Sequence, residues 1–388
     1  MLYVMLNVEN VMKINSYNIK NNAKIIKKFK NIDLFDYDFV KLIYGYGENN
    51  LKKISSLAKE VAGRTDLLLV IGVGGSVLGT RAFTKSFGKK QVEYIGYNFD
   101  WQTITQMKEV IKGKNIALHV VSKSGKTLET IMAFDIFEKY AKKENIFVTS
   151  VEESPLWQRA KEKGYSILPM DKNLGGRFST MSNVGFFAMA YSGIAVKEVY
   201  HSACNMIERL NDKNDDNIAF LYANARLFAE KTGKTNEIIT SFTKSTEYFM
   251  PVAVQLFAES LGKSGKGLLP SYCIYSEGLH SLGQFVQEGR ACFMETSITP
   301  NVSHKKEGEK FDYVNRVARE AVVEAHRKRG FPIVEITLDN WSCQSLAELL
   351  IFFQVTTIFC GEGMKINFLN QNGVEGYKNI MLKKLSEK

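Results

Sequence analysis

The run Asp66-Leu67-Leu68-Leu69-Val70-Ile71 is apolar for five residues without alternation, and Gly72-Val73-Gly74-Gly75-Ser76-Val77-Leu78-Gly79 follows it directly. A continuous apolar run of that length predicts a strand covered on both faces, which occurs in parallel sheets flanked by helices. The glycines turn the strand into a helix and let the backbone approach a ligand closely. Val77 stands where the dinucleotide fingerprint needs its third glycine, so that motif is excluded. The alternation continues with a strand at Val92–Tyr97, a helix at Trp101–Ile111, a strand at Ile116–Val121, a helix at Thr127–Tyr140 and a strand at Ile146–Ser150. Such a series folds as a doubly wound sheet, whose ligands bind beyond the carboxyl ends of the strands.

The second such end is Ser122-Lys123-Ser124-Gly125-Lys126-Thr127. A helix start leaves backbone N–H groups unpaired and carries partial positive charge; here three hydroxyls and two lysines are added to it, which makes an anion seat. One such residue alone would be an ordinary helix cap. The triplet Gly125-Lys126-Thr127 is not a nucleotide P-loop, because Val120 occupies the position of its first glycine. Further on, Asn173-Leu174-Gly175-Gly176-Arg177-Phe178-Ser179 presents an arginine at a helix start behind two glycines.

The remaining chain repeats the pattern. Ile194–Lys231 reads as helical, with Asp212–Asp216 as a hinge between halves. Ile238–Phe242 is a strand and Val252–Leu261 a helix carrying Gln255 and Glu259 one turn apart on one face. Leu279–Gly289 is a helix containing His280, Ala291–Ile298 and Pro332–Leu338 are strands, and Tyr313–Lys328 is a helix. Residues 1 to about 60 read as mostly helical, and Leu346–Cys360 reads as a helix buried in a soluble protein. Met1–Met12 is broken by Asn7, Glu9 and Asn10, so neither a signal peptide nor a membrane span is expected there.

Composition narrows the function classes. A chain of 388 residues with 45% hydrophobic residues has ample material for two cores. The net charge of +10 comes from lysines spread over the whole length, so neither nucleic acid nor a membrane is expected as a partner. Five cysteines without a CxxC pair argue against disulfides and thiolate metal sites, and five scattered histidines argue against a metal in general. A reducing, cytoplasmic location is expected, with no cofactor.

Taken together, Gly72–Ser76, Ser122–Thr127, Gly175–Ser179, Glu259-Ser260-Leu261-Gly262-Lys263, His280 with Gly283-Gln284, and Gly373-Val374-Glu375-Gly376-Tyr377-Lys378 resemble the glucose-6-phosphate isomerase family, of short bacterial type. The motifs stand in the family's order over residues 66 to 380, and their joint occurrence is far more specific than any one of them. The resemblance implies an α/β fold of two doubly wound α/β/α sandwich domains of sugar-isomerase type with mainly parallel sheets. The expected division is a helical segment 1–60 packing on the second domain, domains at 61–195 and 196–362, and a C-terminal arm 363–388 that ends in a helix and carries Lys378.

It also implies an activity, the interconversion of glucose 6-phosphate and fructose 6-phosphate through a cis-enediol. Carried over residue by residue, Gly75, Ser76, Ser122, Lys123, Ser124, Thr127 and Gly176 form the phosphate pocket, and Gln255 and Gln371 line the sugar. Glu259 is then the base, His280 opens the ring with Lys378, and Arg177 stabilises the charged intermediate. In the family the ring-opening histidine comes from the neighbouring subunit, so a homodimer with His280 acting in trans is implied.

These residue types suit the chemistry. Ring opening needs a proton donor near neutrality, and transfer between C2 and C1 needs a carboxylate with a cation close to the developing enediolate. Taken singly, each residue has a plainer meaning: a solvated glutamate, a partly buried histidine, a surface lysine. The chain departs from the family in being shorter and in having Asn372 where a proline usually follows Gln371. Two rival readings remain open at this point, an isomerase for mannose 6-phosphate or an amino sugar phosphate, and a catalytically silent sugar-phosphate sensor.

Overall fold

The computed structural model describes residues 12–387. Their contacts divide them into two compact units, one of residues 33–208 and 342–351, the other of residues 12–32, 209–341 and 352–387. The expectation for Met1–Met12 lies outside the described residues except at Met12.

The first unit is built on β2 (Leu67–Ile71), β3 (Val92–Ile95), β4 (Ile116–Val121), β5 (Ala141–Ser150) and β6 (Ser166–Pro169), parallel and ordered β3-β2-β4-β5-β6. Every residue of β2 and β4 is buried, as an uninterrupted apolar run requires when helices cover both faces. Leu69, Ile71, Leu118 and Val120 pack with Phe134 and Phe137 of the helix Leu128–Phe137. On the other side, Phe187 of the helix Asn183–Tyr191 meets the rings of His119 and Phe147, and each aromatic buried this way contributes roughly 1.5–3 kcal/mol. His119 is thus a core residue, with Nε2 2.8 Å from the Thr149 hydroxyl. Ile71 pairs with both Ile95 and Val120, so the loops after β2 and β4 leave one edge of the sheet side by side.

The second unit repeats the plan with β7 (Asn236–Ser241), β8 (Leu269–Ile274), β9 (Phe293–Pro300) and β10 (Ile333–Leu338), all parallel. A fifth strand, β1 (Met12–Tyr17), joins antiparallel to β10 and gives the order β1-β10-β9-β7-β8. This strand lies in the stretch whose pattern reads as mostly helical. Its pattern hid it, because only Met12 is buried in an edge strand of six residues. Helices do follow, at Ala23–Phe29, Asp38–Tyr44 and Gly47–Arg64, the first in the second unit and the other two in the first.

Among the described residues one helix, Cys343–Met364, is long and apolar enough to cross a membrane, but 83% of its apolar window is buried inside the protein. Its aromatic residues explain why. Phe352 stacks on Tyr222 and Phe353 stacks on Phe257 in the core of the second unit. Glu237 lies fully buried in that core with its carboxylate paired to Arg226 and accepting hydrogen bonds from the hydroxyls of Tyr222 and Thr296.

Candidate active site

In the first unit three sequence motifs come together. Gly74 has φ +57 and starts a short 3-10 turn, Gly74–Ser76, after β2. A Cβ on Gly75 would collide with the backbone of Gly176 and Arg177, so the two glycine-rich loops touch main chain to main chain. That close approach is the physical reason for glycine at 75. Arg177 follows at once in the turn Gly176–Phe178, buried to 3% exposure with its guanidinium 5.0 Å from the Phe178 ring centre.

The anion seat lies on the adjacent loop. Ser122 is buried, its hydroxyl is 3.0 Å from that of Thr127, and it accepts from the N–H of Gly125 at 3.2 Å. The Ser124 hydroxyl accepts from the N–H of Lys126. Gly125 has φ +65, which tightens the loop before the helix Leu128–Phe137. Thr127 is the N-cap of that helix, yet its side chain makes no capping hydrogen bond. The first-turn N–H groups are therefore uncapped by a side chain and turned towards a helix end of positive potential.

Electrostatics agree with this geometry. Burial pushes the Lys123 ammonium below its ordinary pKa; Asp171 pulls it back up and the nearby Arg177 pushes it down again. Two cations and one carboxylate thus share the region, a net positive charge that favours an anion there. Asp171 was not singled out by sequence reasoning; no motif flags it, and only its proximity to Lys123 in space does. Because Gly75 fixes where Gly176 and Arg177 stand, Gly75→Ala is expected to shift that loop and lower kcat/KM on a sugar phosphate by about 100-fold, measured by steady-state kinetics.

The other sequence-predicted residues stand in the second unit. Glu259 is half-buried near the end of the helix Met250–Leu261, and Gln255 donates to its Oε2 at 2.9 Å from one turn earlier. The spacing predicted that shared face, and the hydrogen bond holds the carboxylate in one rotamer. Just after this helix, Lys263 donates to the carbonyl of Asn370 at 2.7 Å and so fastens the segment before Gln371 to the end of the Glu259 helix. Gln371 is exposed, and the chain continues as a 3-10 turn, Asn372–Val374.

Lys378 projects from the helix Glu375–Ser386 with its ammonium 3.1 Å from Glu375. His280 is exposed in the first turn of the helix Leu279–Glu288, and no hydrogen bond reaches its imidazole among the described residues. The same helix exposes Leu282 and Phe285.

Comparison with known proteins agrees with this architecture. The phosphoglucose isomerase family profile matches residues 54–269. A glucose-6-phosphate isomerase of Staphylococcus epidermidis is 32% identical over 372 residues, covering 87% of this chain and 84% of its own length. Among solved structures, a hypothetical protein from Thermus thermophilus superposes with TM-score 0.82 at 21% identity, covering 93% of this chain and 94% of that one. A glucose-6-phosphate isomerase from Chlamydia trachomatis superposes with TM-score 0.81 at 16% identity, covering 97% and 88%. The last two bear on the fold alone.

Proposed function

Since the chain belongs to the phosphoglucose isomerase family, we propose that it interconverts glucose 6-phosphate and fructose 6-phosphate through a cis-enediol, without a cofactor. The observation that carries the reading is the anion seat at Ser122–Thr127 in the first unit; the second unit supplies a carboxylate, Glu259, that accepts a hydrogen bond from Gln255.

Ser122, Lys123, Ser124 and Thr127 hold the phosphate, with Gly75, Ser76 and Gly176 shaping the pocket. Binding at this remote group orients an otherwise flexible open-chain sugar. His280 protonates the ring oxygen as the C1–O5 bond breaks and the C1 hydroxyl gives up its proton to solvent, leaving the open-chain aldehyde, with Lys378 in the same step. Glu259 then removes the C2 proton as the C1 carbonyl electrons move onto O1 to give the enediolate, O1 gains the proton that O2 gives up, and the same carboxylate returns its proton to C1 as the C2 carbonyl forms. Arg177 lies against the oxygen that gains charge, and Gln255 and Gln371 line the sugar. A catalytically silent sensor would need the phosphate seat but neither the base nor the imidazole.

We further place the active form as a homodimer in which His280 serves the neighbouring subunit's site. An exposed imidazole with no hydrogen-bond partner among the described residues, on a helix that also exposes Leu282 and Phe285, supports that arrangement. The five cysteines are all free, which supports a reducing cytoplasmic compartment.

One experiment tests both substrate and geometry. Glu259→Gln and His280→Ala chains, each inactive alone, are unfolded together, refolded and assayed for glucose 6-phosphate formation from fructose 6-phosphate. With His280 in trans, half of the dimers are mixed and each has one complete site, so about a quarter of wild-type turnover returns. No recovery would refute the trans arrangement. Wild-type turnover of mannose 6-phosphate in place of fructose 6-phosphate would refute the substrate.

A further inference from the structure

In a doubly wound sheet, ligands bind where the strand order reverses, because neighbouring loops there part to opposite faces and leave a crevice. In the first unit that point lies between β2 and β4, and the anion seat occupies it. In the second unit the chain runs from β7 to β8 on one side and then to β9 and β10 on the other, so the reversal lies between β7 and β9. A cavity of 280 Å³ opens at just that place, between Phe242 and Thr243 after β7, Thr299 to Ser303 at the end of β9, and the helix Glu307–Lys328. None of its lining residues has a role in the reaction proposed above.

The lining is polar and cationic. Arg316 and Arg319 face it from the helix, and the two sit three residues apart on the side turned away from the exposed Val314 and Val317. Arg319 is mostly buried and anchored by Glu335 at 3.3 Å, which also accepts from the Tyr17 hydroxyl. Arg316 is half-exposed, reaches Glu320 at 3.2 Å and lies 5.2 Å from the Tyr313 ring centre. An exposed pair of this kind is worth about 0–1 kcal/mol, so an incoming anion displaces Glu320 with little loss.

The single carboxylate lining the cavity, Asp312, is turned to His304. One oxygen accepts from the backbone N–H and the other meets Nδ1 at 2.8 Å, contacts that hold its pKa below the ordinary range. The Thr299 hydroxyl is buried and without a hydrogen-bond partner among the described residues. A buried hydroxyl left unpaired is destabilising unless something fills the space beside it.

We propose that this crevice is a second anion site, taking a small phosphate monoester whose oxygens bridge Arg316 and Arg319, with Thr299 donating to the same group. Its volume is near the low end for small-molecule pockets, about 300–1,000 Å³, which suits a three- or four-carbon phosphate and excludes a nucleotide. Two guanidiniums and a hydroxyl match the three terminal oxygens of such an ester.

The test uses the full chain and glycerol 3-phosphate, which the isomerase reaction cannot consume. Calorimetric titration of the wild type is expected to need two classes of site, and crystals grown with the ligand to show it between Arg316 and Arg319. Arg316→Ala, a half-exposed change outside the reaction, is expected to weaken one class by about tenfold or more while leaving turnover of fructose 6-phosphate at saturation unchanged. Identical isotherms for wild type and Arg316→Ala would overturn the second site, whatever the outcome for the isomerase reading. A ligand seen only at Ser122–Thr127 would overturn it equally.

Discussion

Glu259→Gln is expected to lower kcat by roughly three to four orders of magnitude, the upper part of the range for loss of a general base, while the affinity for a hexose 6-phosphate stays near wild type. The substitution changes one thing. Gln255 still has an acceptor at position 259, because the amide oxygen replaces the carboxylate oxygen in the 2.9 Å contact. Helix geometry is untouched, since glutamine and glutamate have similar helix propensities. What disappears is the lone pair basic enough to take a proton from carbon. Binding should persist because the groups assigned to the phosphate, Ser122, Lys123, Ser124 and Thr127, are not altered. Equilibrium binding of glucose 6-phosphate measured beside single-turnover kinetics separates the two effects. Undiminished turnover would remove Glu259 from the mechanism, and loss of binding would make it a structural residue.

How far the sequence disclosed this molecule depended on burial. β2 and β4 are enclosed on both faces, so β2 is apolar without a break and β4 is broken only by the buried His119, and both strands are readable as they stand. β1 and β8 lie at opposite edges of the second sheet, where only one or two residues of each are buried. Neither produced a strand pattern, and Pro270 in β8 pointed away from one, since proline is tolerated at an edge where a central ladder would reject it. The cluster of donors at Ser122–Thr127 was legible because they crowd into six consecutive residues. The meeting of Gly75 with Gly176 and Arg177 was not, because a contact across a hundred positions leaves no local trace. The same holds for Asp171 beside Lys123, and for Lys263 with Asn370.

The largest effect on stability is expected at a position that no motif marks. Arg226 is fully buried on the helix Ile218–Lys231, its guanidinium paired with Glu237 of β7 and lying 3.6 Å from the ring centre of Phe257. Removing one partner of such a pair leaves the other charge in a medium that cannot solvate it, so Arg226→Ala is expected to destabilise the second unit by about 3–5 kcal/mol. The loss includes the packing of the guanidinium on Phe257. Glu237 would escape part of the penalty by taking up a proton, and two of its donors, the hydroxyls of Tyr222 and Thr296, remain in place. For that reason Arg226→Ala should be least harmful at low pH, and the destabilisation should grow as pH rises through the range where the unfolded chain's glutamates ionise. Urea midpoints for wild type and variant across that range measure this directly. The double change Arg226→Met with Glu237→Gln provides the control. It removes both charges, keeps an acceptor for the two hydroxyls and refills most of the volume, so it should be clearly more stable than Arg226→Ala alone. If the double variant were the less stable of the two, the orphaned Glu237 carboxylate would not be the source of the loss in Arg226→Ala.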